Sequence, residues 1–132
     1  MGQQYRKTQT TVSLINYHFV FCPRYRRKAL VGEVEKRLKE LLPKVCQEIE
    51  VNIVALEIMP DHIHIFLNAL PNMSPSDIMA KVKGVTSRTL RQEFEHLHHL
   101  PSLWTRSFFC STASNVSSET IKHYIEEQKT RG

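Results

Sequence analysis

The sequence predicts an α+β domain built on a ferredoxin-like (RRM-like) antiparallel sheet, with helices on one face and an extra C-terminal helix carrying Tyr124. Three observations predict it. The apolar segments follow one another as strand, helix, strand, strand, helix, strand. Pro60-Asp61-His62-Ile63-His64-Ile65-Phe66 alternates with a period of two, so His62 and His64 share one face and Ile63, Ile65 and Leu67 the other. A length of 132 residues with 41% apolar content fits one domain, 1–132, around a single core.

Taken in order, residues 1–10 are polar and read as flexible. Leu14, Ile15, Tyr17, Phe19, Val20 and Phe21 form an aromatic, β-branched run that suits a strand, which Pro23 ends. Arg24, Arg26, Arg27 and Lys28 then make a dense basic turn around Tyr25. Over residues 33–50, Val34, Leu38, Leu41, Leu42, Val45 and Ile49 recur at helical spacing, and Pro43, which has no amide donor, is expected to kink or interrupt that helix. Val51, Ile53, Val54, Leu56 and Ile58 mark a second strand over 51–59, and Pro60-Asp61 turns it into a third over 62–69. After a loop over 71–75, Ser74 or Ser76 caps a helix reaching to about Phe94, along which lie Lys81, Lys83, Arg88 and Arg91. His96, His98 and His99 fall in a polar loop before Pro101. A fourth strand is expected over 107–112 and a small polar linker over 113–116. Ser117 or Ser118, with Glu119, then opens a last helix to about Lys129.

Lys and Arg number 18 against 13 Asp and Glu, and the resulting charge of +5 favours a polyanionic partner such as nucleic acid. Cys22, Cys46 and Cys110 are odd in number and widely spaced, which suits reduced, mostly buried thiols of a cytoplasmic protein. No segment approaches the ~20 apolar residues of a membrane span, and the N-terminus lacks an apolar signal core. A glycine-rich phosphate loop is also missing, which weighs against a ligand-sensing module.

The candidates for chemistry are His62 and His64, which can offer two imidazoles to one metal ion from a rigid strand, although such pairs also occur as hydrogen-bonded strand histidines. On the last helix Ile121, Tyr124, Ile125 and Gln128 fall at i, i+3, i+4 and i+7, a single stripe. That stripe serves docking, unless the amide of Gln128 finds a partner; its carbonyl oxygen is a hard ligand that could sit beside the two imidazoles. Two histidines and one amide oxygen form a neutral set with open positions, suited to Mg2+ or Mn2+ holding phosphate oxygens as well. Asp61 could be a ligand, an acceptor fixing a histidine tautomer, or the turn residue after Pro60, and the latter two roles are preferred. His18, on the first strand, could project toward the same face as His62, but the preferred reading is a structural strand histidine. For phosphate contact the candidates are Arg24, Arg26, Arg27 and Lys28, with Tyr25 placed to stack on an unpaired base, and Lys83, Arg88 and Arg91 on the second helix.

These residues resemble a known family, the single-tyrosine HUH transposases of small prokaryotic insertion sequences, HUH standing for His, hydrophobic residue, His. The resemblance runs from about Tyr17 to Gln128. It rests on Tyr17-His18-Phe19-Val20-Phe21-Cys22-Pro23-Arg24-Tyr25-Arg26, on Met59-Pro60-Asp61-His62-Ile63-His64, and on Tyr124-Ile125-Glu126-Glu127-Gln128. It implies a homodimer that recognises hairpins in single-stranded DNA at element ends and cuts and rejoins strands there. It also implies Tyr124 as nucleophile, His62, His64 and Gln128 as metal ligands, and a 5′-phosphotyrosine intermediate. The tyrosine helix of one subunit would complete the other subunit's site, pivoting at the 113–116 linker. Relatives commonly carry glycine there; Ala113-Ser114-Asn115 is stiffer, so exchange is expected to be slower with cleavage retained. Two other readings share these residues: a domesticated nickase acting on repeat hairpins, and a non-catalytic single-stranded nucleic-acid binder, which would need neither metal nor Tyr124.

Overall fold

The computed structural model describes residues 5–7, 12–13, 15–112 and 118–132. Short strands β1 (Arg6–Lys7) and β2 (Val12–Ser13) pair with each other. Strands β3 (Ile15–Phe21), β4 (Asn52–Met59), β5 (His62–Ala69) and β6 (Phe109–Ser111) form a four-stranded antiparallel sheet in the order β4-β5-β3-β6. Helices α1 (Gly32–Glu48) and α2 (Pro75–Glu93) are the two crossovers, and α3 (Ser118–Glu127) follows the last strand. This is the ferredoxin-like α+β plan, with the extra C-terminal helix in place.

Strand alternation divides the sheet into two faces. Across β3 and β5, Phe19 pairs with Ile65 and Phe21 with Ile63. These side chains are fully buried in one core with Leu38, Leu42 and Val45 of α1 and Ile78, Met79, Val82 and Leu90 of α2. Burying each such side chain contributes roughly 1.5–3 kcal/mol, which is what clamps both helices to this face. The opposite face carries His18, Phe66, His62 and His64, with Glu57 registered against His64 and Met59 against His62.

Several expectations need correction. α1 runs unbroken through Pro43. Pro43 lies on the exposed side of the helix, where the carbonyl it leaves unpaired can be hydrated, while buried Leu41, Leu42, Val45 and Cys46 anchor the turns on both sides. Within the polar start, Arg6 donates to the Asn68 carbonyl and side chain, each at 3.1 Å, and to the Glu50 carbonyl at 2.9 Å. Residues 1–4 and 8–10 lie outside the described residues, as do Leu14, the 113–116 linker and Ser117. The fourth strand is shorter than expected, because the Ser107 carbonyl is taken by Lys83 Nζ at 3.0 Å instead of a strand partner. Of the two candidate caps for α2, Ser74 serves, its Oγ accepting from the Asp77 amide at 3.1 Å ahead of Pro75 in the first turn.

Candidate active site

β5 presents His62 and His64 on the open face, and each ring is fixed through its Nδ1. His62 Nδ1 lies 2.8 Å from Asp61 Oδ1, and His64 Nδ1 lies 3.2 Å from His18 Nε2. The two rings are 5.0 Å apart at 82° to each other. Nδ1–H bonded to a carboxylate leaves Nε2 as the bare, ligating nitrogen of His62, and among the described residues neither Nε2 has a protein partner. Burial lowers the pKa of His64, helped by the charges of His62 and His18, and so keeps it in the neutral form a ligand needs. Burial lowers His18 as well. Asp61 takes the turn position after Pro60 and also the tautomer-fixing role. Burial alone would raise its pKa, but the His62 hydrogen bond and the Arg26 charge outweigh that and hold it below the ordinary carboxylate value.

Both histidines line a cavity of about 490 Å³ with Asp61, Arg26 and, from α3, Ile121, Lys122, Ile125 and Glu126. Tyr124 and Gln128 face elsewhere. The Tyr124 hydroxyl is 3.0 Å from Ser107 Oγ, and its ring packs 6.0 Å from that of Phe109. Ser107 Oγ donates to Gln128 Oε1 at 3.2 Å, and Gln128 Nε2 donates to the Tyr124 carbonyl at 3.1 Å. Ser107 has a single proton, so giving it to Gln128 makes the phenol the donor to Ser107. Burial raises the Tyr124 pKa, which keeps it a neutral phenol there. The expected stripe on α3 is thus divided: Ile121 and Ile125 look toward the histidines, Tyr124 and Gln128 toward Ser107. The structure brings His62, His64 and Asp61 together and holds Tyr124 with Gln128, but it does not place the second pair in the cavity of the first.

The basic candidates separate by environment. Arg27 and Lys28 are exposed, Arg24 is half-buried, and Tyr25 is 50% exposed with the Arg27 guanidinium 5.6 Å from its ring centre. Arg88 is exposed. Lys83 and Arg91 are committed internally: Lys83 Nζ donates to the Thr105 and Ser107 carbonyls at 2.7 and 3.0 Å, and Arg91 to Leu100 O at 3.1 Å and Ser87 Oγ at 3.1 Å. These two cations pin the 100–107 segment to α2, and within that segment Trp104 Nε1 donates to Thr86 Oγ1 at 3.0 Å. His98 Nε2 donates to the Gln92 carbonyl at 3.0 Å, and the His96, His98, His99 group is exposed. Cys46 and Cys22 are free, buried thiols, Cys22 pushed up to about 12, and Cys110 is half-buried. Among the described residues no helix is long and apolar enough to cross a membrane.

Sequence reasoning missed Ser107 and preferred a structural role for His18. The face on which His18 could lie was legible: it is registered opposite Phe66, two residues from His64, and its ring stacks on Phe66 at 4.1 Å. Ser107 gave no signal, since its role depends on how the segment after α2 returns to β6.

Comparison with known proteins places this geometry among others. The family model described as IS200-like transposase matches residues 11–128. The chain is 31% identical over 126 residues to the ISDra2 transposase TnpA of Deinococcus radiodurans, covering 93% of this chain and 90% of that one. It is 35% identical over 119 residues to the transposase for insertion sequence element IS200 of Salmonella typhimurium, covering 86% of this chain and 78% of that one. A crystal structure from D. radiodurans R1, of a protein assigned as a transposase, superposes with a TM-score of 0.85 at 33% identity, covering 93% and 97% of the two chains. A REP-associated tyrosine transposase, solved bound to a REP hairpin, shares the fold at a TM-score of 0.59 and 18% identity, covering 95% and 69%.

Proposed function

Because the chain belongs to the IS200-like transposases, we propose that it cleaves and rejoins single-stranded DNA at hairpin-marked element ends, with Tyr124 as nucleophile. His62, His64 and Gln128 would hold a divalent cation, Mg2+ or Mn2+. The observation that carries the reading is the pair of imidazoles facing one cavity, each held at Nδ1 by Asp61 or His18, with the Asp61 carboxylate leaving His62 Nε2 bare for a ligand. The donor set fits such a cation, which when bound supplies charge stabilisation to the phosphate and the departing 3′ oxygen.

The residues of the chain account for the rest. The Tyr124 oxygen forms a bond to phosphorus as the bond to the 3′ oxygen breaks, which yields a 5′-phosphotyrosine and a free 3′ hydroxyl. One phosphodiester replaces another of similar energy, so a later 3′ hydroxyl can reverse the step without ATP. On Ser107 the phenol is a neutral hydrogen-bond donor, the resting form of the nucleophile. Gln128 and Tyr124 reach the histidine pair only after α3 leaves its seat on Ser107, and a homodimer in which each α3 serves the partner's histidines satisfies this. Arg24, Tyr25, Arg27 and Lys28, beside the cavity wall at Arg26, offer charge and an aromatic face to the strand.

Incubation with single-stranded DNA from the flanks of the coding region, with Mn2+ or EDTA, tests the reading on denaturing gels. The expected result is a metal-dependent covalent adduct that is lost in Tyr124→Phe. Binding without an adduct under any condition, indifferent to metal and to Tyr124→Phe, would instead identify a non-catalytic single-strand binder.

A further inference from the structure

We infer that Arg26 is a positioning residue for the histidine pair, setting the ring of His62 through the carboxylate of Asp61. The inference rests on the reading of His62 and His64 as cation ligands. Arg26 belongs to a run of four cations, yet its environment is unlike that of its neighbours. Its side chain is 19% exposed, with Nε 2.8 Å from Asp61 Oδ2 and Nη1 3.2 Å from Glu126 Oε1. Asp61, itself 14% exposed, spends its other oxygen on His62 Nδ1 at 2.8 Å. Both carboxylate oxygens are therefore occupied, one by a guanidinium and one by the imidazole, so the plane of the carboxylate and the tilt of the ring are set together.

The backbone is built for this contact. Tyr25 and Arg26 have φ of 57° and 51°, two successive non-glycine residues in the left-handed region. Such a conformation is disfavoured for residues that carry a Cβ and persists where the surroundings enforce it. Here Arg24 N bonds Leu103 O at 2.9 Å, Tyr25 N bonds Arg131 O at 2.6 Å, and Arg26 N bonds Pro23 O at 2.9 Å. A phosphate-binding role fits Arg26 less well than Arg27 and Lys28, since its guanidinium would first have to give up Asp61 or Glu126, whereas theirs are exposed. Removing Arg26 leaves a largely buried carboxylate without its counter-charge and free to pivot off His62.

The test uses the whole chain without DNA. Mn2+ affinity is measured by electron paramagnetic resonance, and the tautomer of His62 by ring 15N shifts in metal-free protein, for the unaltered chain, Arg26→Gln, Arg26→Lys and Lys36→Gln. Arg26→Gln is expected to weaken Mn2+ binding by about tenfold or more, the range for lost outer partners of a ligand, and to turn a single Nδ1–H tautomer into a mixture. Arg26→Lys, which keeps the charge and guards against loss of folding, should recover part of both, and Lys36→Gln, at an exposed position of α1, should match the unaltered chain. Equal Mn2+ binding and an unchanged tautomer in Arg26→Gln would overturn the inference alone. No Mn2+ binding by the unaltered chain would sink the cation reading itself, and this inference with it.

Discussion

Ser107 holds two partners, the half-buried Tyr124 hydroxyl, which Thr105 also bonds, and the Gln128 carbonyl oxygen, on a residue only 1% exposed. Replacing Ser107 with alanine removes both bonds at once. It should cost about 1–3 kcal/mol of stability, read as a lower urea midpoint at unchanged slope; a variant as stable as the parent would mean that α3 is not seated on Ser107. Lys83 offers a second test. Burial lowers its pKa from 10.5 to about 8, against a smaller opposing pull from Cys22. The charged form is therefore penalised in the folded chain, fully below pH 8. As pH rises from 8 to 10.5 the folded chain releases this proton before the unfolded chain does, so the penalty is relieved and stability rises. The stability of the parent relative to Lys83→Met should increase across that window, and a difference that stays flat would contradict the burial of this ammonium.

At the level of elements, periodicity located α1, α2 and the β4–β5 hairpin, because their apolar residues face a single core and repeat at 3.6 or 2. It could not judge Pro43, whose effect depends on which side of the helix meets water. Substituting Pro43 with alanine restores a helical donor at an exposed site and should stabilise the chain by about 1–3 kcal/mol, after allowing for the greater freedom alanine gives the unfolded chain; a lower melting temperature would show that the proline is accommodated by a contact other than the helix. The shortened β6 escaped the sequence for a related reason. Lys83 reaches across from α2 to hold the Thr105 and Ser107 carbonyls, a pairing far apart in the chain with no local signature. The same remoteness hid Arg26, which reads as surface charge within a basic run and is resolved as an ion-pair partner only once Asp61 and Glu126 are folded beside it.

Seen as a whole, the molecule assigns its two sheet faces to different tasks. One is closed by α1 and α2 around Phe19, Ile63 and Ile65, and the other carries the histidines and is met by α3. The His-x-His pair was legible in the sequence because strand alternation alone puts both rings on one face. The relation of Tyr124 and Gln128 to that pair was not, because it depends on how α3 is seated, and the residues joining it to β6 lie outside those described. Within one chain Tyr124 rests on Ser107 while the histidines line a separate cavity, and the proposed function requires the two halves to meet across a dimer. Mixing Tyr124→Phe chains with His62→Ala chains, each inactive alone, tests this most directly. The account predicts that the mixture, after subunit exchange, recovers metal-dependent adduct formation on single-stranded DNA, since one subunit supplies intact histidines and the other an intact tyrosine. A mixture that exchanges subunits and binds DNA yet forms no adduct would contradict it.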